Sequence, residues 1–157
     1  MAVLQWSESL SLELPAMDET HQEFVALLAR VETADDKHLV AAWRALVDHT
    51  VGHSGQEDAW MRSTGFSSAN CHTVQHRVVL EVMCEGLVQG LKGRNEAIRQ
   101  MARELAVWFV QHAQTMDAAL ALHLRSVGFD AASGEVRMPQ ALPAAPVHGC
   151  GSAACAT

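Results

Sequence analysis

The stretch DKHLVAAWRALVDHTVGHSGQEDAWMRS, residues 36–63, decides the fold of this chain. Its apolar and histidine positions recur every three or four residues, which places them on one face of a helix that turns once per about 3.6 residues. Two ligand-type side chains, His53 and Glu57, interrupt the apolar series. The face consists of Leu39, Trp43, Leu46, Thr50, His53, Glu57 and Trp60. The pattern predicts an amphipathic helix with a polar site on its core-facing side.

Three further segments show the same periodicity. No proline occurs between positions 16 and 138, so this region lacks the strongest helix breaker. Short polar or glycine-containing breaks divide it, and connections of that length join antiparallel neighbours in up-down bundles. The predicted fold class is therefore all-α, an antiparallel up-down four-helix bundle. The predicted helices lie near residues 18–33, 36–63, 68–89 and 94–126.

The two ends of the chain differ from its middle. The first 17 residues predict an extended arm, in which Trp6 and several leucines are available to pack across the bundle. From about residue 131 the composition is rich in Ala, Pro, Gly and Ser, with no sustained periodicity. We therefore predict a helical domain over residues 1–130 and a flexible tail over residues 131–157.

Composition excludes several classes of protein. The 157 residues suit one domain, and the formal net charge is −7 with eleven scattered Lys and Arg residues, which argues against a nucleic-acid partner. No run of about 18 apolar residues is present, so no membrane span is predicted. The N-terminus lacks the basic start and apolar core of a secretion signal, so we expect a cytoplasmic protein.

Cysteine spacing argues against a disulfide framework. The four cysteines at positions 71, 84, 150 and 155 form no C-x-x-C pair, which also disfavours a cysteine-rich zinc site. We expect reduced thiols. A reversible disulfide or metal capture by Cys150 and Cys155 stays open as a weaker alternative.

The chain has nine histidines and no tyrosine, an excess of histidine that the spacing of these residues explains by a metal site. A separation of four helical residues rotates a side chain by about 40° and advances it by about 6 Å, so both groups can reach one metal or two adjacent metals. His53 and Glu57 form one such pair, and His72 and His76 form another. His112 and Asp117 are five residues apart, a rotation of about 140° on an ideal helix, so there they cannot point the same way. They can still flank a two-metal centre, to which His21 on the first helix adds an imidazole.

The donor count favours a binuclear site. Five imidazoles and two carboxylates exceed the four ligands of a structural zinc site. Imidazole suits iron, copper, nickel and zinc, and carboxylates can bridge two cations, so an oxygen-bridged iron pair is chemically sensible, with zinc as the chief competitor. The Glu-x-x-His motif of ferritin-like di-iron enzymes is absent. A metal-free polar core is disfavoured because each unpaired buried group costs several kcal/mol.

The order of these motifs resembles the hemerythrin family. The matching motifs are D-x-x-H at Asp18–His21, H-x-x-x-E at His53–Glu57, H-x-x-x-H at His72–His76 and H-x-x-x-x-D at His112–Asp117. The opening QWSES and the Trp108 that precedes His112 agree as well. The resemblance covers about residues 4–128.

This resemblance implies a ligand set and a function. His72, His76 and His112 would bind one iron, His21 and His53 the other, and Glu57 and Asp117 would bridge the two ions. The implied cofactor is two iron ions, Fe2+ or Fe3+, with a solvent-derived oxo or hydroxo bridge. The implied activity is reversible dioxygen binding by an oxygen carrier, store or sensor rather than an enzyme.

Other functions are possible for such a site, and three positions of this chain differ from the family pattern. A di-iron enzyme that reduces peroxide or nitric oxide, or an iron storage or delivery protein, are the other functions considered. The expected partners are dioxygen and a redox partner protein, for a monomer or weak homo-oligomer. Where the family usually has an aromatic, an aliphatic and a tyrosine, this chain has Ser54, Ala113 and His49. These changes predict a shorter-lived oxygenated state, with His49 supporting the ligands rather than binding metal.

Overall fold

The computed structural model describes residues 3–66 and 71–145. Helix α1 packs against α2, α2 against α3, α3 against α4, and α4 against α1, which closes a bundle. A π-helical turn links α4 to α5, and helical dihedral angles at both junctions make α4, this turn and α5 one continuous fourth helix. The predicted all-α four-helix bundle is confirmed. The bundle consists of α1 (Pro15–Thr33), α2 (Leu39–Ser63), α3 (Cys71–Leu91), α4 (Asn95–His112), the π-helical turn (Ala113–Asp117) and α5 (Ala118–Ser126). Short 3-10 helices lie at Glu8–Leu10, in the arm predicted to be extended, and at Pro139–Ala141.

Two helix starts differ from the predicted ones for local reasons. Helix α1 begins at Pro15 rather than near residue 18, because proline is tolerated in the first turn, where its missing N–H has no helical acceptor. Helix α2 begins at Leu39 rather than near residue 36. The carboxylate of Asp35 accepts the backbone N–H of His38 at 3.0 Å and holds the preceding residues in a turn.

Two apolar clusters fill the bundle, with polar side chains between them. Helix α1 places Met17 in the second cluster and Phe24 in the first, with His21 between them. The fourth helix passes through the same layers in the opposite direction, from Phe109 in the first cluster to Leu120 in the second. The core therefore holds a polar layer with apolar packing on both sides. The first cluster includes Phe24, Leu28, Trp43, Leu46, Met83, Ile98, Leu105 and Phe109, and the second includes Met17, Trp60, Met61, Phe66, Leu120, Leu124 and Phe129.

The N-terminal arm is fixed to the bundle by Asp18. One carboxylate oxygen of Asp18 accepts the Leu12 backbone N–H at 2.8 Å, and the other accepts the Ser11 hydroxyl at 2.7 Å. Leu4 and Trp6 pack against the first cluster. The aspartate of the D-x-x-H motif thus anchors the arm, and it is not part of the groups that could hold a metal among the described residues.

A short hairpin follows the bundle. Strands β1 (Phe129–Asp130) and β2 (Glu135–Val136) pair antiparallel, and Phe129 is buried beside Trp60 with a ring separation of 6.0 Å. Strands of two residues are too short to give an alternating pattern, so the sequence did not predict them. Residues 146–157 of the predicted tail lie outside the described residues, and the domain boundary at residue 130 stays a prediction.

The cysteines depart from the expectation of reduced thiols. Cys71 is disulfide-bonded, whereas Cys84 is a free thiol. The expectation is therefore wrong for Cys71, because disulfides join residues that are close in space whatever their spacing in sequence. Cys150 and Cys155 lie outside the described residues.

No helix within residues 3–66 and 71–145 is long and apolar enough to cross a membrane.

Candidate metal centre

The polar layer contains all seven side chains predicted as ligands. They form two groups whose potential ligand atoms lie within 4.8 Å of one another. Both groups contain Glu57 and Asp117, which are 1% and 0% exposed. The three-histidine group adds His72, His76 and His112, and the two-histidine group adds His21 and His53. The division is the one that the family resemblance implies.

Helix α2 supplies a histidine and a carboxylate one turn apart. The Nε2 atom of His53 lies 2.8 Å from Oε1 of Glu57, as their four-residue spacing predicts. On α3, the same spacing brings the rings of His72 and His76 to a centroid separation of 4.5 Å. Both predicted pairs therefore face the polar layer.

The π-helical turn resolves the five-residue spacing of His112 and Asp117. An ideal α-helix would rotate these side chains about 140° apart. Residues Ala113–Asp117 adopt i to i+5 hydrogen bonding instead, so this turn is wider than an α-helical turn and two residues five apart come closer to the same side of the helix. His112 Nε2 consequently lies 3.0 Å from Oδ1 of Asp117. His112 and Asp117 can therefore point into the same layer, because the helix departs from ideal α-helical geometry between them.

The oxygens of each carboxylate are divided between the two groups. Oε1 of Glu57 faces His53, while Oε2 lies 3.2 Å from His72 Nε2 and 3.3 Å from His76 Nε2. Oδ2 of Asp117 lies 3.1 Å from His21 Nε2, and Oδ1 lies 2.9 Å from His72 Nε2. Each carboxylate is thus placed to bridge two cations, one per oxygen.

Hydrogen bonds do not satisfy this layer. Both oxygens of Glu57 and Asp117 are buried without a hydrogen-bond partner among the described residues, although imidazole nitrogens are close. Four imidazole nitrogens are also buried without a hydrogen-bond partner there, namely Nε2 of His21, His72, His76 and His112. Buried polar groups without partners cost several kcal/mol each, and a cation between them would remove that cost. The residues present therefore fit a metal pair.

The short distances between the buried imidazoles and carboxylates determine which of these groups are charged. Burial acts to raise the pKa of Glu57 and Asp117, but the surrounding imidazoles hold both pKa values well below the ordinary carboxyl range. Burial acts to lower the pKa of His76, yet the carboxylates of Asp58 and Glu57 raise it to about 9. The carboxylates are therefore anionic at neutral pH, and a metal must displace a proton from His76.

Two contacts that the sequence did not predict support the ligands from outside. Oδ1 of Asp58 lies 3.0 Å from His76 Nδ1, and Oε1 of Gln75 lies 2.8 Å from His112 Nδ1. The ring of Trp108 stacks on His112 at 4.5 Å. Asp58 directly follows Glu57 and Gln75 directly precedes His76, but neither adjacency indicates which histidine each would contact. Those contacts depend on the rotation of packed helices.

The other histidines within residues 3–66 and 71–145 lie outside both metal groups. His49 contacts the Thr20 carbonyl oxygen at 3.1 Å, and its ring lies 6.2 Å from that of His53, a supporting position rather than a ligand position. His123 contacts the carbonyl oxygen of Thr64 at 2.9 Å.

Comparison with known proteins agrees with this geometry. The family described as "Hemerythrin HHE cation binding domain" matches residues 13–122, more than half of the chain. The chain is 36% identical to a bacteriohemerythrin of Ralstonia nicotianae over 131 residues, which cover 83% of this chain and 96% of that protein. It is 24% identical to bacteriohemerythrins of Stenotrophomonas maltophilia and Pseudomonas aeruginosa, over 77% and 75% of this chain and 81% and 79% of those proteins. No solved structure matches the chain significantly.

The family match spans three of the four helices in full and most of the fourth, and it includes every predicted ligand. The chain belongs to the hemerythrin family.

Proposed function

We propose that this chain binds dioxygen reversibly at a non-haem di-iron centre. The observation that carries the proposal is the division of the carboxylate oxygens, since Glu57 and Asp117 each face both imidazole groups. When bound, a ferrous pair would supply the two electrons that dioxygen accepts on binding and returns on release. The bacteriohemerythrin relatives support the same assignment.

The two groups offer unequal numbers of ligands. The three-histidine group has five donor side chains, and the two-histidine group has four. The group with fewer protein ligands leaves more of its coordination sphere free, so we propose that dioxygen binds on the side of His21 and His53. A solvent-derived oxo or hydroxo bridge would complete the centre.

The chain's own residues restrain the chemistry. Phe109 approaches His21 edge-on, with a centroid separation of 5.3 Å, and the first and second clusters exclude water from both ends of the polar layer. A dry site rich in neutral imidazole favours release of dioxygen over its activation, because the surroundings of a metal control its reactivity. This favours a carrier, store or sensor over an enzyme.

One opening in this enclosure supports the expectation of a shorter-lived oxygenated state. A groove of about 630 Å³ runs between α2 and α3, and Ser54, Asp58 and His76 all line it. A small hydroxyl side chain at position 54 leaves this approach less covered than an aromatic ring would. Solvent can therefore come close to the three-histidine group. We expect the oxygenated form to decay faster than in a homologue with an aromatic residue at this position, as stopped-flow absorbance would measure.

An oxygen-electrode experiment tests the proposal. Anaerobically reduced protein with its iron counted should take up one dioxygen molecule per iron pair and return it when the solution is sparged with argon. Sustained consumption of a reductant with peroxide or nitric oxide would instead favour the di-iron enzyme. Loss of all iron to a mild chelator within minutes would favour storage or delivery.

The biological setting is a further part of the proposal. We propose that dioxygen is the ligand and that a redox protein restores the ferrous state. The cytoplasmic location and the monomeric or weakly oligomeric state stay predictions from the sequence.

A further inference from the structure

The outer ring nitrogens of the histidines are supported unequally. In the three-histidine group, His76 Nδ1 donates to the Asp58 carboxylate at 3.0 Å, and His112 Nδ1 donates to the Gln75 amide oxygen at 2.8 Å. Trp108 stacks on the face of His112, with an interplanar angle of 18°. Two of the three rings are thus fixed by side chains from a neighbouring helix.

The two-histidine group has no such support among the described residues. The Nδ1 atoms of His21 and His53 are buried and lack a hydrogen-bond partner there. These rings stack on each other with a centroid separation of 5.0 Å, which restrains their planes but provides no acceptor for either N–H. The two groups therefore differ in these outer contacts as well as in their number of donor side chains.

Outer hydrogen bonds of this kind change metal affinity. An acceptor at Nδ1 fixes the tautomer in which Nε2 is free to bind a metal, and it holds the ring in its binding orientation. A carboxylate acceptor also makes the imidazole more basic, which strengthens its bond to a cation. Loss of such a partner typically weakens metal binding by about 10- to 100-fold.

We propose that Asp58 and Gln75 are positioning residues that make the three-histidine iron position the tighter of the two, so that iron leaves the chain in two stages. The inference rests on the proposed function only in requiring two irons. The iron at the His21 and His53 side leaves first. The iron held by His72, His76 and His112 leaves second, and Asp58 and Gln75 determine how tightly it is held.

Competition for ferrous iron under anaerobic conditions tests this proposal without dioxygen. Iron retained per chain is measured against rising chelator concentration, and the curve should show two separate steps. In Asp58→Ala, the chelator concentration needed for the second step should fall by about 10- to 100-fold, with a smaller fall in Asp58→Asn, whose amide can still accept a hydrogen bond. In both variants the first step should stay in place.

Substitutions of Gln75 should shift the second step either to lower or to higher chelator concentration. Gln75→Met removes the acceptor while keeping the length of the side chain, and it should shift the second step to lower chelator concentration. Gln75→Glu offers His112 a carboxylate and should shift that step to higher concentration. Asp48→Asn, an exposed change on the same helix as Asp58, is the matched control and should leave both steps unchanged.

A variant that binds only one iron is needed to show that the second step comes from the three-histidine position. His53→Ala removes a ligand of the two-histidine group, so the remaining iron should show the Asp58→Ala weakening undiminished. A single-step curve for the unmodified chain with two irons, or an Asp58→Ala shift smaller than about threefold, would overturn the proposal. Two-step release from a chain that fails to bind dioxygen would support it while contradicting the proposed function.

Discussion

Glu57 and Asp117 are the two carboxylates that both proposed iron positions share. Glu57 and Asp117 are both buried. The carboxylate oxygens of each lie 2.8–3.2 Å from Nε2 atoms of histidines in both groups. A histidine belongs to one position, whereas a carboxylate belongs to both. Changes at these two residues should therefore affect both irons together.

The variant Asp117→Asn tests this shared role. Asparagine has nearly the same shape but carries no charge, so the fold should persist while the paired cations lose a bridging anion. We expect the protein to lose most of its iron from both positions, as measured by iron content per chain after desalting. The exposed change Asp48→Asn serves as the control. Full retention of both irons by Asp117→Asn would show that the carboxylate does not bridge.

Protonation of the imidazoles gives a pH dependence to the metal-free protein. Burial opposes the charge on His76, but Asp58 and Glu57 raise its pKa to about 9, above the ordinary histidine value of 6.5. A raised pKa adds stability that is complete below pH 6.5 and is lost as the pH rises through about 9. The free energy of unfolding should therefore fall between pH 7 and 9, by about 2 kcal/mol from this group alone. Chemical denaturation at both pH values measures it, and a flat or rising profile would contradict the assignment.

At the scale of the helix, the π-helical turn sets the direction of Asp117. The turn allows His112 and Asp117 to point into one layer while the residues beyond it continue in register with the second cluster. π-Helical turns are rare and often occur at functional sites. We therefore propose that the extra residue in this turn serves the metal centre by directing Asp117 toward it.

A paired insertion and deletion can change the direction of Asp117 without changing the register of the residues beyond the turn. Inserting an alanine after Gln114 and removing Ala118 moves Asp117 by one position, about 100° around the helix, while Leu120 keeps its register. We expect circular dichroism close to that of the unmodified protein and a loss of most of the iron. An alanine inserted after Lys92, in the connection between α3 and α4, should leave the iron in place. A paired variant that keeps both irons would contradict this role of the turn.

Close packing of α3 restricts Gly86. A Cβ at this position would lie 2.6 Å from Met101 Sδ and 3.1 Å from the indole of the buried Trp43. Gly86→Ala should therefore destabilise the metal-free protein by about 1–3 kcal/mol, even though alanine favours the helix. On α2, a Cβ at Gly52 would meet nothing within 4 Å, so Gly52→Ala should stabilise it by about 0.5–1 kcal/mol. Denaturant unfolding compares the two, and equal effects would contradict the packing difference.

For the whole molecule, periodicity and spacing were sufficient to predict the bundle and to find the ligand candidates. Apolar residues repeat on one face of each helix, and the ligands occupy the same faces, so folding brings them together between the first and second clusters. Assignment of the ligands to two iron positions came from the family resemblance. The geometry now agrees with that division.

What the sequence did not predict depends on contacts between elements or on departures from ideal geometry. The contacts from Asp58 to His76 and from Gln75 to His112 join different helices, so they are fixed by helix rotation and not by spacing. The π-helical turn changes the rotation per residue that periodicity assumes. The hairpin is too short for a pattern, and the disulfide at Cys71 leaves no local signal.

The central claim is that one polar layer holds an iron pair that binds dioxygen reversibly. The most direct test is the optical spectrum of anaerobically reduced protein, with iron counted per chain, on exposure to air and return to nitrogen over several cycles. We predict two irons per chain and a visible absorption band that appears in air and disappears under nitrogen each time. Fewer than two irons, or a ferric spectrum that persists after the first exposure to air, would contradict the claim.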